Sequence, residues 1–300
     1  MGAGRETIFL PAPGQAGGDT NAAEERVKAT VGKCLQHQRL AGWAAALMLL
    51  AASAVAGSAA PAPLRIGVAH VPPKADVPAA RLYTQDGFDL ELAAEIGRRL
   101  GRKVELVDIG DQAAEALAAG RIDLAVAPQD GALPSGVELL PSGYQSGLSV
   151  AMRTDTDIRS WEGLAGRKVC VVASNDRARR LVRAVGGQEV VQPVPALALM
   201  QVRTGECDAA IHDEVVLRRL FGEAEWKKFS ATLPARDSTP LVVALPADGT
   251  RPGSQAPPAE ALRSTLAALA DSRFWDRKTG EWATNVALEV YLEQDAPDCH

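Results

Sequence analysis

The chain is poor in the residues that build metal and redox centres. Its four histidines, His37, His70, His212 and His300, are scattered, and its four cysteines include no C-x-x-C. No ligand spacing for zinc or an iron–sulfur cluster is therefore written into it, and neither metal nor cofactor is expected. G-x-S-x-G, H-E-x-x-H and P-loop patterns are missing as well, so the common hydrolase and nucleotide signatures offer no starting point. Runs of Lys and Arg are absent and the net charge is −5, which argues against a nucleic-acid partner. Aromatic residues are only 4% of the chain. Trp161, Trp226, Trp275 and Trp282 are read as packing residues rather than as ligand cages.

One long apolar run is present. Leu40 to Ala60 carries no charge, follows Lys33 and Arg39, and ends in small residues around Ala54-Val55-Ala56. A positive flank, an apolar centre and a small-residue end predict a secretory signal peptide. An uncleaved anchor is the alternative, because the run approaches spanning length. Residues 1–60 are thus expected to be an N-terminal extension and signal peptide, outside the folded body.

Beyond residue 60, strand-like and helix-like patterns alternate. Leu64–Ala69 reads as a strand, and a Pro-rich loop follows to Asp86. Leu90, Leu92, Ala93, Ile96 and Leu100 then recur at helical spacing, with Arg98, Arg99 and Arg102 near the end and Gly101 as a stop. Val104–Val107, a helix at Ala113–Ala119 and Ile122–Ala127 complete a first set. Further strands are expected at Leu148–Met152, Lys168–Val172, Glu189–Val191, Asp208–Ile211 and Leu241–Leu245, with helices at Asp176–Val185 and Ala196–Thr204 and from Ala259 onward. Such alternation predicts an α/β fold with mainly parallel sheets flanked by helices.

A pattern also repeats within the chain. Gly120-Arg-Ile-Asp123 precedes an apolar strand, and Gly205-Glu-Cys-Asp208 precedes another at the same place in the second set. The repeat predicts two lobes of like architecture.

The segments LRIGV, VPP, GFDLELAAEIGRRLGRKVELV, AEALAAGRIDLAVA, GYQSGLSVAMRTDT, WEGLAGRKVCVVASNDRARRLV and ALALMQVRTGECDAAIHDEVVLRRL occur in order across residues 64–220. In this order they resemble the periplasmic solute-binding proteins (family 3) that serve polar amino-acid ABC transporters. The resemblance implies a type II two-lobed periplasmic-binding-protein-like fold. Lobe 1 would comprise residues 61–150 plus 241–300, lobe 2 residues 153–238, and two extended crossings would join them near Leu148–Met152 and Leu241–Leu245. The Trp275 and Trp282 segment is expected to dock on lobe 1. It also implies a periplasmic monomer that captures a small polar solute, an amino acid or a related amine or organic acid, and hands it to an inner-membrane permease. No catalytic residue is implied.

In α/β lobes ligands sit beyond the carboxyl ends of strands, where helices begin. Gln129 and Asp130 occupy that place in lobe 1, and Ser174, Asn175 and Asp213 in lobe 2. The resemblance implies that Asp213 takes a ligand amino group, while a helix cap is the plain alternative for Asp213, Ser174 and Asn175. Asp89 and Asp123 are read as caps or braces of turns. The family's T-x-x-R, whose Arg grips a carboxylate, is missing: the stretch reads PQDGALPSGVELLPSGYQSG. Lys74 stands where an aromatic would follow Pro-Pro. Tyr83 or Tyr144 is the available aromatic replacement, and Lys74 or Arg177 the available cation. If Asp130 and Asp213 face each other, a cationic or amine ligand fits instead. Related proteins often carry a disulfide matching Cys170 and Cys207, so that pairing is expected here. Two other readings stay open: an orphan sensor or accessory binding protein, and a cleft dehydratase using Asp130 or Glu138 as its acid.

Overall fold

A computed structural model describes residues 62–72, 82–130, 136–247 and 255–294. The signal-peptide segment and Lys74 lie outside the described residues. Eight strands form one sheet in the order β2-β1-β3-β8-β4-β7-β5-β6. The first half runs β1 (Leu64–Val68), α1 (Asp89–Arg99), β2 (Val104–Asp108), α2 (Ala113–Ala118), β3 (Leu124–Pro128). The second half repeats it: β5 (Lys168–Val172), α3 (Asp176–Ala184), β6 (Gln188–Gln192), α4 (Pro195–Thr204), β7 (Ala209–Asp213). Each half is a parallel triplet, β1 between β2 and β3 and β5 between β6 and β7. These are the two like lobes that the repeated motif predicts.

The repeated aspartates explain why the motif recurs. Asp123 Oδ2 accepts from Arg65 N at 2.9 Å, and Asp208 Oδ2 accepts from Lys168 N at 2.9 Å. Each therefore pins the start of the neighbouring parallel strand to the turn that opens its own. Gly120 and Gly205 supply the positive φ of that turn, 67° and 82°, which a β-carbon would oppose. Asp123 does more than Asp208. Its carboxylate is wholly buried and also binds the Arg65 guanidinium at 2.8 Å.

Two long antiparallel strands, β4 (Val137–Ala151) and β8 (Arg236–Pro246), join the lobes at the centre of the sheet. β8 extends the first triplet through β3, and β4 extends the second through β7. Both strands are longer than the expected crossings. In the first part of β4 the buried positions are Leu140, Ser142, Tyr144 and Ser146, three of them hydroxylated, so the apolar alternation that marks a strand is missing there; from Gly147 to Ala151 every position is buried. Two register shifts, between Pro141 and Gln145 and between Ser146 and Leu148, break the ladder there.

α1, α6 (Ala259–Asp271), α7 (Phe274–Leu292), α5 (Glu214–Leu220) and α4 share one apolar cluster that runs from lobe to lobe. α2 and α3 each cover a separate cluster. The C-terminal helix differs from expectation. α7 packs against α5 and α4, which belong to lobe 2, although it follows α6 of lobe 1. Its buried side chains Phe274, Trp282, Val286 and Val290 fill the space between these helices, each worth roughly 1.5–3 kcal/mol by area. Trp275 reaches the joining strand β4, donating from Nε1 to Ser142 O at 2.8 Å, and Trp282 Nε1 donates to Gln85 O of lobe 1 at 3.0 Å. The terminal helix therefore serves both halves, whereas the sequence reading assigned it to lobe 1 alone.

Cys170 of β5 and Cys207, in the turn before β7, are disulfide-bonded with Cα atoms 5.9 Å apart. Among the described residues no helix is long and apolar enough to cross a membrane.

Candidate functional site

Asp213 ends β7, and Tyr144 comes from the joining strand β4. The Tyr144 hydroxyl donates to Asp213 Oδ2 at 2.7 Å. Asp213 stands at the N-terminus of α5 but makes no side-chain cap there, so its carboxylate is aimed elsewhere. Burial raises its pKa to about 6; the Asp86 charge adds to the rise, while Arg177 and the Tyr144 hydrogen bond oppose it. The phenol of Tyr144 is pushed well above its ordinary value by burial and by the facing Asp213 charge.

Arg177 lies in the first turn of α3. Its guanidinium stands 3.6 Å from Asp213 Oδ1. Nη2 donates to Asp237 O at 2.7 Å and to Ser146 O at 3.3 Å, so it holds α3 to both joining strands. Asn175 caps α3, its Oδ1 accepting from Ala178 N at 2.9 Å, as its capping alternative foresaw. Its amide also reaches across to lobe 1, where Nδ2 donates to Asp86 Oδ2 at 2.6 Å. The other Asp86 oxygen is 3.1 Å from His212 Nδ1. His212 is fully buried, and its Nε2 has no hydrogen-bond partner among the described residues. Trp282 of α7 packs edge-on against the imidazole, with ring centroids 5.8 Å apart.

Asp130, at the end of β3, pairs with Arg180 of α3. The carboxylate charge that adds to the rise at Asp213 is that of Asp86. Gln129 is half-buried, and its backbone N donates to Pro240 O at 2.9 Å. Ser174 is half-buried in the turn before α3. Tyr83 turns toward the terminal helix, its hydroxyl donating to Glu293 Oε1 at 2.5 Å, and is held away from the cluster around Asp213. Asp89, the first residue of α1, is raised to about 6 by burial. Sequence reasoning placed His212 beside Asp213, past the end of a lobe 2 strand, but gave it no role, and it missed Asp86, which sits at the end of a Pro-rich loop with no periodicity; only the fold brings the two together.

Polar groups thus converge from both lobes: Asp86 from one, Asn175, Arg177, His212 and Asp213 from the other, with Tyr144 from the joining strand. Among the described residues no three His, Cys, Asp or Glu side chains are grouped to hold a metal ion. The cluster holds donors and acceptors suited to a polar guest.

A curated relative from Haemophilus influenzae, named "Probable amino-acid ABC transporter-binding protein", is 28% identical over 164 residues, which are 53% of this chain and 63% of that protein. The chain is similar to amino-acid ABC transporter-binding proteins. It spans less than two thirds of the length of the relative it matches. Among solved structures, a mutant of ArgBP from T. maritima has a TM-score of 0.49 and 22% identity, covering 74% of this chain and 95% of that one. The GluR0 ligand binding core in complex with L-glutamate has a TM-score of 0.49 and 17% identity, covering 74% and 98%. An amino acid ABC transporter substrate-binding protein from Streptococcus pneumoniae, bound to L-arginine, has a TM-score of 0.49 and 18% identity, covering 75% and 95%. No family model matches the chain.

Proposed function

We propose that this chain is an extracytoplasmic solute-binding protein that encloses a small polar solute between its lobes for an ABC transporter permease of the inner membrane. The observation that carries the reading is the convergence of Asp86, Asn175, Arg177, Asp213 and Tyr144 from two like lobes joined by β4 and β8. A pair of crossing strands permits one lobe to bend against the other, and a guest held by both lobes favours the closed arrangement. The similarity to the Haemophilus influenzae protein supports the same reading. Gln129, Asp130, Ser174, Asn175, Arg177, Asp213, Lys74 and Tyr83 remain the solute-contact candidates from sequence. We add Asp86 to them and put Asp213, Arg177 and Asn175 first; their gathering around the joining strands supports that order.

The chain is proposed to do no chemistry of its own. Asp130 and Glu138, the candidate acids of a dehydratase, are each paired with an arginine, Arg180 and Arg263, which suits structural carboxylates better than general acids. An accessory or sensor role is the second reading. It is favoured by the direct bonds between Asp86 and Asn175 and between Tyr144 and Asp213, which engage the groups a transported solute would need.

A thermal-shift screen of the chain against amino acids, polyamines and organic acids tests the proposal, since a bound solute stabilises by mass action. A hit is expected in one of these classes, and Asp213→Ala is expected to abolish an amine hit. A screen in which no compound raises the melting temperature refutes solute capture.

A further inference from the structure

The loop that carries Asp86 is held by the C-terminal helix at three successive residues. Tyr83 donates to Glu293 Oε1 at 2.5 Å. Thr84 donates twice to Glu289 Oε1, from its backbone N at 2.8 Å and its hydroxyl at 2.7 Å. Gln85 O accepts from Trp282 Nε1 at 3.0 Å. Next in the chain, Asp86 bonds Asn175 and His212 of lobe 2. α7 itself lies on α4 and α5 of that lobe, and its Asp276 pairs with Arg219 of α5. Residues 83–86 therefore leave lobe 1 in sequence but are fastened to lobe 2 in space, partly directly and partly through α7. Glu289 is buried, and its Oε1 accepts both bonds from Thr84, which makes it the central fastening.

We propose that α7 is an interlobe strap: by gripping residues 83–85 it keeps Asp86 against Asn175 and His212, and so limits how far the lobes separate. A joint made only of β4 and β8 resists bending by the stiffness of two strands. The strap adds a second tie, off the axis of that joint, which must be released or stretched for the lobes to part. Its grip depends on hydrogen bonds with two carboxylates, Glu289 and Glu293, and one indole, so a substitution at Glu289, the central one, loosens it.

The test uses the full chain with no solute added, so its result is independent of whether any solute binds. Hydrogen exchange reports the backbone of residues 82–88, and solution scattering reports the radius of gyration. Glu289→Ala is expected to speed exchange there by about tenfold, as loss of a charged hydrogen bond to a buried donor implies, and to increase the radius of gyration. Glu289→Gln keeps one acceptor oxygen and is expected to restore both values. Trp282→Phe keeps an aromatic ring beside His212 while removing the bond to Gln85 O, and serves where the alanine variant does not fold. Thr284→Ala, on the exposed face of α7, is expected to change neither. Unchanged exchange and unchanged radius in the Glu289→Ala and Trp282→Phe variants overturn the strap. Faster exchange with an unchanged radius also overturns it, because the contact then orders a loop without restraining the lobes.

Discussion

The phenol of Tyr144 donates to the carboxylate of Asp213 across 2.7 Å, linking the strand that joins the lobes to the end of β7. The pair is buried, and burial is the main reason that Asp213 titrates near 6. Its ordinary value is 3.8, so the folded state holds the proton more tightly than the unfolded chain does. Stability from this group is present in full below that ordinary value and is lost as pH rises through 6. At neutral pH the ionised carboxylate is a burden of about 2–3 kcal/mol. Asp213→Asn is accordingly expected to be more stable than the unaltered chain at pH 7.5, with the advantage shrinking as pH falls toward 4. Urea unfolding at both values measures it. An advantage that is the same at both pH values contradicts the assigned titration.

The disulfide closes a loop with a sequence separation of 37 residues. In the chain-entropy picture such a closure is worth about 4 kcal/mol. Cys170→Ser with Cys207→Ser, or reduction of the unaltered chain, should lower the unfolding free energy by about that amount. Intact mass before and after alkylation reports whether the bond is formed in the purified protein; recovery of both thiols in free form would rule it out.

The two repeated aspartates offer an internal comparison. Asp123 is buried and holds both a backbone amide and a guanidinium. Asp208 is about one-third exposed and holds one backbone amide, with the Arg167 guanidinium 3.6 Å away and not hydrogen-bonded to it. Asp123→Ala removes a buried carboxylate that holds both the amide and the guanidinium of half-buried Arg65 and is expected to cost about 3 kcal/mol. Asp208→Ala should cost about 1 kcal/mol. Equal losses in chemical unfolding would mean that burial does not separate the two positions.

Most of the scaffold was readable before any coordinates. Leu92, Ala93 and Ile96 mark α1 by spacing, Pro195 and Gly205 bracket α4, and the Gly-x-x-Asp repeat gives two like halves. The joining strands were only half visible. Buried serines in β4 and the segment Arg236-Asp237-Ser238-Thr239 in β8 carry no apolar alternation, and their pairing depends on partners about 90 residues away. At the site, Asp213, Asn175 and Arg177 follow from the rule that helices begin where strands end. His212 stands beside Asp213 under the same rule, but Asp86 lies on no signal of its own, and its meeting with His212 is a product of tertiary folding across 126 residues. The alternation that identifies α7 as a helix likewise says nothing of which lobe it will cover.

Gly147 lies in β4 where a β-carbon would stand 2.9 Å from Arg236 O and 3.0 Å from Ala235 Cβ. Backbone on the partner strand cannot yield as a flexible side chain would. Gly147→Ala is expected to destabilise by about 1–3 kcal/mol, in the range of overpacking, and to lower the melting temperature by several degrees. Calorimetry decides it: a variant that melts with the unaltered chain would show that β4 and β8 have slack at this point.

β4 and β8 are bonded to each other along the ribbon that spans both halves, rather than entering as two separate loops. A gate hung on loops swings freely until something stops it. One mounted on a laddered ribbon turns like a torsion spring, its travel set by how much twist the ladder bears. Lengthening the surface turns at either end of such a protein would leave its range of motion unaltered, whereas a single added or deleted residue between Pro141 and Leu148 would retune it.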